Sequence, residues 1–185
     1  MTLPEHPSDP PTCTAFLGDR RVAAGTYAEV TRLLDAMPAS NEGLLVFDDS
    51  TGAVLDRPLP VVSDPAPTVG RPRLGVVARE VTLLPRHWEW LAQQQGGASA
   101  ALRRLVDEAR RQHADADAQR LARERAYRCM SALAADLPGF EEASRALFAG
   151  DASAFEQYTA HWPQDVRQHI GRLASGGFDA AQPAT

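Results

Sequence analysis

Five prolines fall at positions 58, 60, 65, 67 and 72, interleaved with Ser63, Asp64, Thr68 and Gly70. Proline fixes one backbone angle and lacks an amide donor, so such a run fits neither the inside of a helix nor a central strand. It reads as an extended, Pro-rich linker over 58–72. The 185-residue chain is thereby divided into a small α+β module over 12–57 and a second region over 73–175. Residues 1–11, rich in Pro with the acidic Glu5 and Asp9, are expected to form a disordered tail, and 176–185 a flexible one. The fold class expected is α+β: an N-terminal ββαββ module, the linker, a strand-helix-helix unit and a mostly helical C-terminal half.

Within the first module, Thr12 to Leu17 and Arg21 to Ala24 flank Gly18-Asp19 as a hairpin, with Phe16 and Val22 pointing inward. Thr26 can cap a helix over Tyr27 to Met37, whose buried stripe would be Val30, Leu33, Leu34 and Met37, ended by Pro38. Leu44 to Phe47 makes a strand, 48–52 a turn rich in Asp, Ser and Gly, and Val54-Leu55 a return strand. One helix covering one face of this sheet is the expected packing.

After the linker, Val81 to Leu84 is a short β-branched and apolar run. Pro85 ends it and opens a helix carrying Trp88, Leu91 and Ala92 on one face. Gly96-Gly97 stops that helix, and Ser99 can cap the next, in which Leu102, Leu105, Val106 and Ala109 follow at helical spacing. This order of strand, proline, helix, glycine turn and Ser-led helix resembles the ribbon-helix-helix DNA-binding motif, in which two chains pair their strands and lay the ribbon in the major groove. Four segments stand out together: LLVFDDSTGAVLD at 44–56, RPRLGVVAREVTLLPRHWEWL at 71–91, GGASAALRRLVDEAR at 96–110 and FEQYTAHWPQDVRQHIGRLA at 155–174. Through them the chain, over most of its length, resembles the uncharacterised bacterial family known as domain of unknown function 2239 (DUF2239). That family name implies no activity.

Beyond Ser99 the helical pattern runs toward Leu137, with HADADAQ at 113–119 as the expected interruption and Pro138-Gly139 as the stop. Leu121, Met130, Leu133 and Leu137 supply its apolar positions, and Arg120, Arg123, Arg125 and Arg128 a basic flank. Helices over Phe140 to Phe148 and Ala152 to His161 follow, the second capped by Asp151. Pro163 opens a last one with Val166, Ile170 and Leu173 at 3.6-residue spacing, stopped by Gly176-Gly177.

Charge is unevenly distributed. Residues 1–70 hold 4 Arg against 10 acidic groups, 71–128 hold 12 against 7, and 129–185 hold 3 against 7. A basic middle between acidic ends points to an anionic partner or to self-association, while i,i+4 pairs such as Arg104–Glu108 account for part of it. Cys13 and Cys129 have no CxxC or metal-like spacing and read as free buried thiols. No apolar run approaches the ~20 residues that cross a bilayer, and the basic stretch 120–128 has few bulky anchors for an interfacial helix. The opening MTLPEHPSDPPT has no basic or apolar leader pattern, so a cytoplasmic address without membrane contact is the expectation.

Two function classes follow. In the first, the chain is a DNA-associated, regulatory homodimer that binds duplex DNA. Arg79, Arg86, Arg103 and Arg104 would meet phosphates, Thr82 would face the groove, and Ser99 at the helix start would offer free amides to a phosphate. Alternate strand residues face a groove together, so the reading set is Arg79, Val81 and Leu83 or Glu80, Thr82 and Leu84. Neither set keeps one face polar, which counts against specific base reading. In the second class the same stretch only pairs chains, through Val81, Leu83, Trp88 and Leu91, and the acidic N-terminal module meets a protein partner. Trp88 also reads as ordinary core. No catalytic residue, metal site or cofactor is expected. Asp48-Asp49-Ser50 is explained by turn chemistry, and His113, Asp115 and Asp117 are spaced round a helix so that only His113 and Asp117 could meet. His161 lacks a nameable partner for acid–base work, so the chain is not expected to be an enzyme.

Overall fold

The computed structural model describes residues 10–37, 42–57, 59 and 79–178. Most of both expected tails, and all of the 58–72 linker except Leu59, lie outside the described residues. The strands are β1 (Thr12–Leu17), β2 (Arg20–Thr26) and β3 (Leu44–Asp48). The helices are α1 (Tyr27–Asp35), α2 (Pro85–Ala92), α3 (Gly97–Leu133), α4 (Phe140–Ala149), α5 (Ala152–Thr159) and α6 (Gln164–Ala174), and a short 3-10 turn follows over Ser175–Gly177. The architecture is α+β, a β-β-α-β module followed by a largely helical C-terminal half.

The chain divides into two compact units, one made of residues 1–62 with 117–185 and the other of 63–116. The N-terminal module therefore shares its unit with the C-terminal helices, and the division differs from the one expected at the linker. In this larger unit the sheet has the order β2-β1-β3, antiparallel throughout. A bulge lies between Ala15 and Phe16 of β1. Strand alternation sends Cys13, Ala15 and Val46 to one face, where Tyr27, Val30 and Leu34 of α1 cover them. The other face carries Phe16 and Phe47, which join Ala126, Met130, Leu147, Ile170 and Leu173 in the larger core. Both faces of the sheet are thus covered, where one was expected, because two phenylalanines on the second face need helices to bury them.

Local signals worked where they were chemical. Thr26 and Glu29 form a full capping box at α1, and Asp151 caps α5 by accepting from Ala154 N at 2.9 Å. Trp162 is buried at the α5–α6 corner and its Nε1 donates to Pro138 O at 2.8 Å. Other expectations are corrected. Leu33, expected in the α1 stripe, is 51% exposed, since Tyr27, Val30 and Leu34 already fill the inner face. The return strand at Val54-Leu55 is reduced to one bridge, Phe47 to Val54. The chain still returns beside β3, with Asp48 N donating to Ala53 O at 2.9 Å and Leu55 N to Val46 O at 2.7 Å. At the turn Gly52 has a φ of +68°, and an added Cβ would stand 2.0 Å from the Arg125 carbonyl oxygen, so the turn packs tightly against α3. HADADAQ does not interrupt α3, which is helical throughout. Packing continues past residue 176 as far as the described residues go: Gly177 is buried and the Phe178 ring lies 5.4 Å from that of Phe155.

In the 63–116 unit, Val81 to Leu84 forms no strand. An edge forms a ladder only with a partner strand, and the described residues of a single copy offer none here. The backbone at Leu84 is extended all the same, with φ −67° and ψ 150°. Ser99 is not a cap, because α3 begins two residues earlier, at Gly97, directly after the left-handed Gly96. α2 starts at Pro85 as its sequence dictates, and Leu91 and Ala101 are the buried residues of this unit among those described.

Candidate functional site

Two places in the molecule carry polar chemistry, and they differ in burial. In the 79–116 segment, Arg79, Thr82, Arg86, Ser99, Arg103 and Arg104 are all exposed. None of the four arginines is hydrogen-bonded or ion-paired to a described residue, the expected Arg104–Glu108 pair included; Glu108 accepts instead from Gln112 Nε2 at 3.0 Å. Arg103 and Arg104 stand two turns into α3, so they are not at a helix start. The field there is modest, since Glu80, Glu89, Asp107, Glu108 and Asp115 share the segment with six arginines.

The residues expected at a dimer interface lie in the same segment. Leu91 is buried, Leu83 half-buried, and Val81 and Trp88 are 52% and 42% exposed, so Trp88 is not core. Leu84, Trp90, Leu105 and Val106 are exposed as well. A single copy of the segment leaves most of its large apolar side chains in water.

The basic flank of α3 has another use. Arg120 pairs with Asp117 and Glu124, both at 3.1 Å. Arg123 donates to the carbonyls of Gly177 and Phe148, Arg125 to that of Leu173 at 2.8 Å, and Arg128 to that of Thr51 at 2.9 Å. Arg123, Arg125 and Arg128 fasten the ends of other elements to α3, whereas Arg120 pairs within α3 and takes Asp117 from His113.

The second place is the turn after β3. Asp48 does what a turn aspartate does: its Oδ1 accepts from Ser50 N at 2.8 Å and Thr51 N at 2.9 Å, and Tyr27 Oη donates to its other oxygen. Burial works to raise the Asp48 carboxyl, but bonds from Ser50, Tyr27 and Thr51 outweigh it and hold the group below the usual carboxylate range. Burial, followed by the bond to Asp48, pushes the Tyr27 phenol up. Asp49 behaves differently, and turn chemistry does not explain it. It accepts from Thr14 Oγ1 at 2.8 Å and lies 3.6 Å from Arg172 Nη2 and 4.0 Å from His169 Nε2. Arg172 Nη2 also reaches His169 Nδ1 at 2.9 Å and Thr14 Oγ1 at 3.2 Å. Thr14 and His169 are fully buried. Burial depresses the His169 imidazole to about 4, with Asp49 opposing and Arg172 and Arg21 adding to the effect.

Sequence reading missed this cluster. The signal was there in His169, which sits on the apolar stripe of α6 between Val166 and Leu173. Cys13 and Cys129, free and buried as expected, are pushed up to about 11 and about 12, mainly by burial. Among the described residues no group of three or more His, Cys, Asp or Glu side chains is placed to hold a metal ion, and no helix is long and apolar enough to cross a membrane. A groove of about 660 Å³ runs beside β3, along Leu44–Val46 and Val54–Arg57, and none of the cluster residues lines it.

The family model for an uncharacterised protein conserved in bacteria, DUF2239, matches residues 57–174. The match takes in the 79–116 segment and α4–α6, whereas β1, β2 and α1 precede it. The step from β2 into α1 is a strand running directly into a helix, the feature this ββα unit has in common with the ribbon-helix-helix order. No curated protein and no solved structure matches the chain.

Proposed function

We propose, for this chain that belongs to the bacterial DUF2239 family, a non-enzymatic assembly function in which residues 79–116 pair two copies. One observation carries the reading. Val81, Leu84, Trp88, Trp90, Leu105 and Val106 of this segment are between 42% and 55% exposed. Apolar surface in water costs about 25 cal/mol per Å² relative to burial, and aromatic anchors such as Trp88 and Trp90 are the residue types that dominate protein interfaces. The extended backbone before Pro85 can pair with its own copy, which would satisfy an open edge and create the ribbon that a single chain lacks. The test is the mass of the full chain in solution by sedimentation equilibrium. The wild type is expected to be a dimer and Leu83→Asp a monomer with unchanged helix content; a dimer of unchanged strength in the variant counts against strand pairing.

A second reading, duplex DNA bound by that dimer in a regulatory role, is favoured by the exposure of Arg79, Arg86, Arg103 and Arg104 without ion partners among the described residues. Pairing two copies doubles this set. Thr82 would face the groove, and Ser99 would offer its first-turn amide to a phosphate. Phosphate contacts release counterions, so affinity for random duplex DNA should fall steeply between low and physiological salt. Replacing Arg103 and Arg104 together by Glu should abolish it, and binding that survives both changes removes this reading while leaving assembly in place.

A further inference from the structure

His169 is enclosed, yet one of its ring nitrogens has no hydrogen-bond partner among the described residues. Its ring centroid lies 5.2 Å from that of Phe16 and 6.4 Å from that of Phe47, so the imidazole is held between the sheet and α6. Arg172 Nη2 stands 2.9 Å from Nδ1. A guanidinium can only donate, so Nδ1 accepts and the neutral ring carries its proton on Nε2. That Nε2–H is the orphan. It faces Asp49 Oδ1 at 4.0 Å, beyond hydrogen-bond reach.

We infer that Thr14, Asp49, His169 and Arg172 form a proton-operated latch between α6 and the sheet, in which protonation of His169 exchanges its partner from Arg172 to Asp49. Hydronium gives its proton to the Nδ1 lone pair: one N–H bond forms, one O–H bond of hydronium breaks, and water is left. Nδ1 then donates and can no longer accept from Arg172. Two donors at 2.9 Å repel, and Arg172, whose side chain is already 53% exposed, turns outward. Its contact with Thr14 Oγ1 at 3.2 Å goes with it. The imidazolium is drawn to the Asp49 carboxylate, which gives Nε2–H the acceptor it lacks. At neutral pH α6 is held to β1 and the turn through Arg172; in acid it is held through His169 and Asp49, with a guanidinium released to the surface.

The groups around the ring set where the exchange occurs. Arg21 of β2 and Arg172 of α6 disfavour the charged ring and Asp49 favours it, while burial dominates and places the midpoint at about 4. Cys13 of β1 and Cys129 of α3 feel the charge of Asp49 but stay neutral throughout this range, their thiols lying at about 11 and about 12. Thr14 of β1 does not titrate.

The experiment is nitrogen-15 NMR of the full chain titrated from neutral to acid pH. The Nε2-protonated tautomer of His169 is expected at neutral pH, with one acidic midpoint shared by its ring nitrogens and the Arg172 side-chain resonance. Arg172→Gln should move the His169 midpoint up from about 4 toward 6.5, and Asp49→Asn should move it down. An Arg172 resonance that stays still while His169 titrates overturns the latch, and the wild-type protein alone decides this if either variant fails to fold. Unfolding of the whole chain before His169 takes its proton overturns it too, because the exchange belongs to the folded state.

Discussion

Arg103 and Arg125 lie on one helix, α3, and are used in opposite ways. Arg125 donates to the Leu173 carbonyl at 2.8 Å, and Arg123 and Arg128 likewise reach carbonyls of other elements. Arg103 is exposed and has no partner among the described residues. Apolar residues divide the same way. In the larger unit Phe16 and Phe47 are fully buried, whereas in the 79–116 segment Trp88 and Trp90 are 42% and 48% exposed. The larger unit spends Arg123, Arg125 and Arg128 on carbonyls and encloses its sheet phenylalanines, although Tyr127, Phe148 and Tyr158 on its helices stay partly exposed. The 79–116 segment, among the described residues, buries neither tryptophan and pairs none of Arg79, Arg86, Arg103 and Arg104. It retains both unpaired charge and uncovered apolar surface, which is why the proposed interaction is placed there and not on the sheet.

The comparison can be broken most directly by truncating an aromatic residue in each region. Phe47→Ala removes a ring from a closed core and should cost about 3–5 kcal/mol in chemical denaturation. Trp88→Ala should change the unfolding free energy of the monomer by less than about 0.5 kcal/mol and show instead as weaker self-association in sedimentation. Similar losses of monomer stability at both positions would mean that the segment is as closed as the core.

An effect of up to about 3 kcal/mol is expected from pH. His169 has a folded-state value of about 4 against an ordinary 6.5, so the unfolded chain binds more protons between those values. Stability is then fully present above the ordinary value, declines as pH falls through the window, and loses nothing more from this group below about 4. Denaturation midpoints of the wild type and His169→Gln across this range check it; the variant should show a flatter slope.

The smallest expected difference compares two hydroxyl residues at helix beginnings. Thr26→Ala removes the capping box of α1 and should cost about 1 kcal/mol, while Ser99→Ala, inside the first turn of α3, should cost close to nothing. Equal losses in thermal denaturation would show that Ser99 does cap its helix.

Sequence alone determined the elements whose cause is local. Thr26, Pro85, Asp151, Pro163 and Gly139 each act on backbone groups within a few residues, and the helices and hairpin they bound appear where their chemistry puts them. The arginines and aromatics of the 79–116 segment were also legible as unusual. Local spacing could not say which face of a residue meets which distant element. Only tertiary structure put Phe16 and Phe47 against α3–α6, spent the α3 arginines on carbonyls, and aimed Asp49 away from its own turn toward Thr14, His169 and Arg172. Thr14 is 35 residues from Asp49 and 158 from Arg172 in sequence; only His169 and Arg172, three apart on α6, are neighbours. Burial and hydrogen bonding across such distances depend on how the layers close, and no local periodicity encodes that.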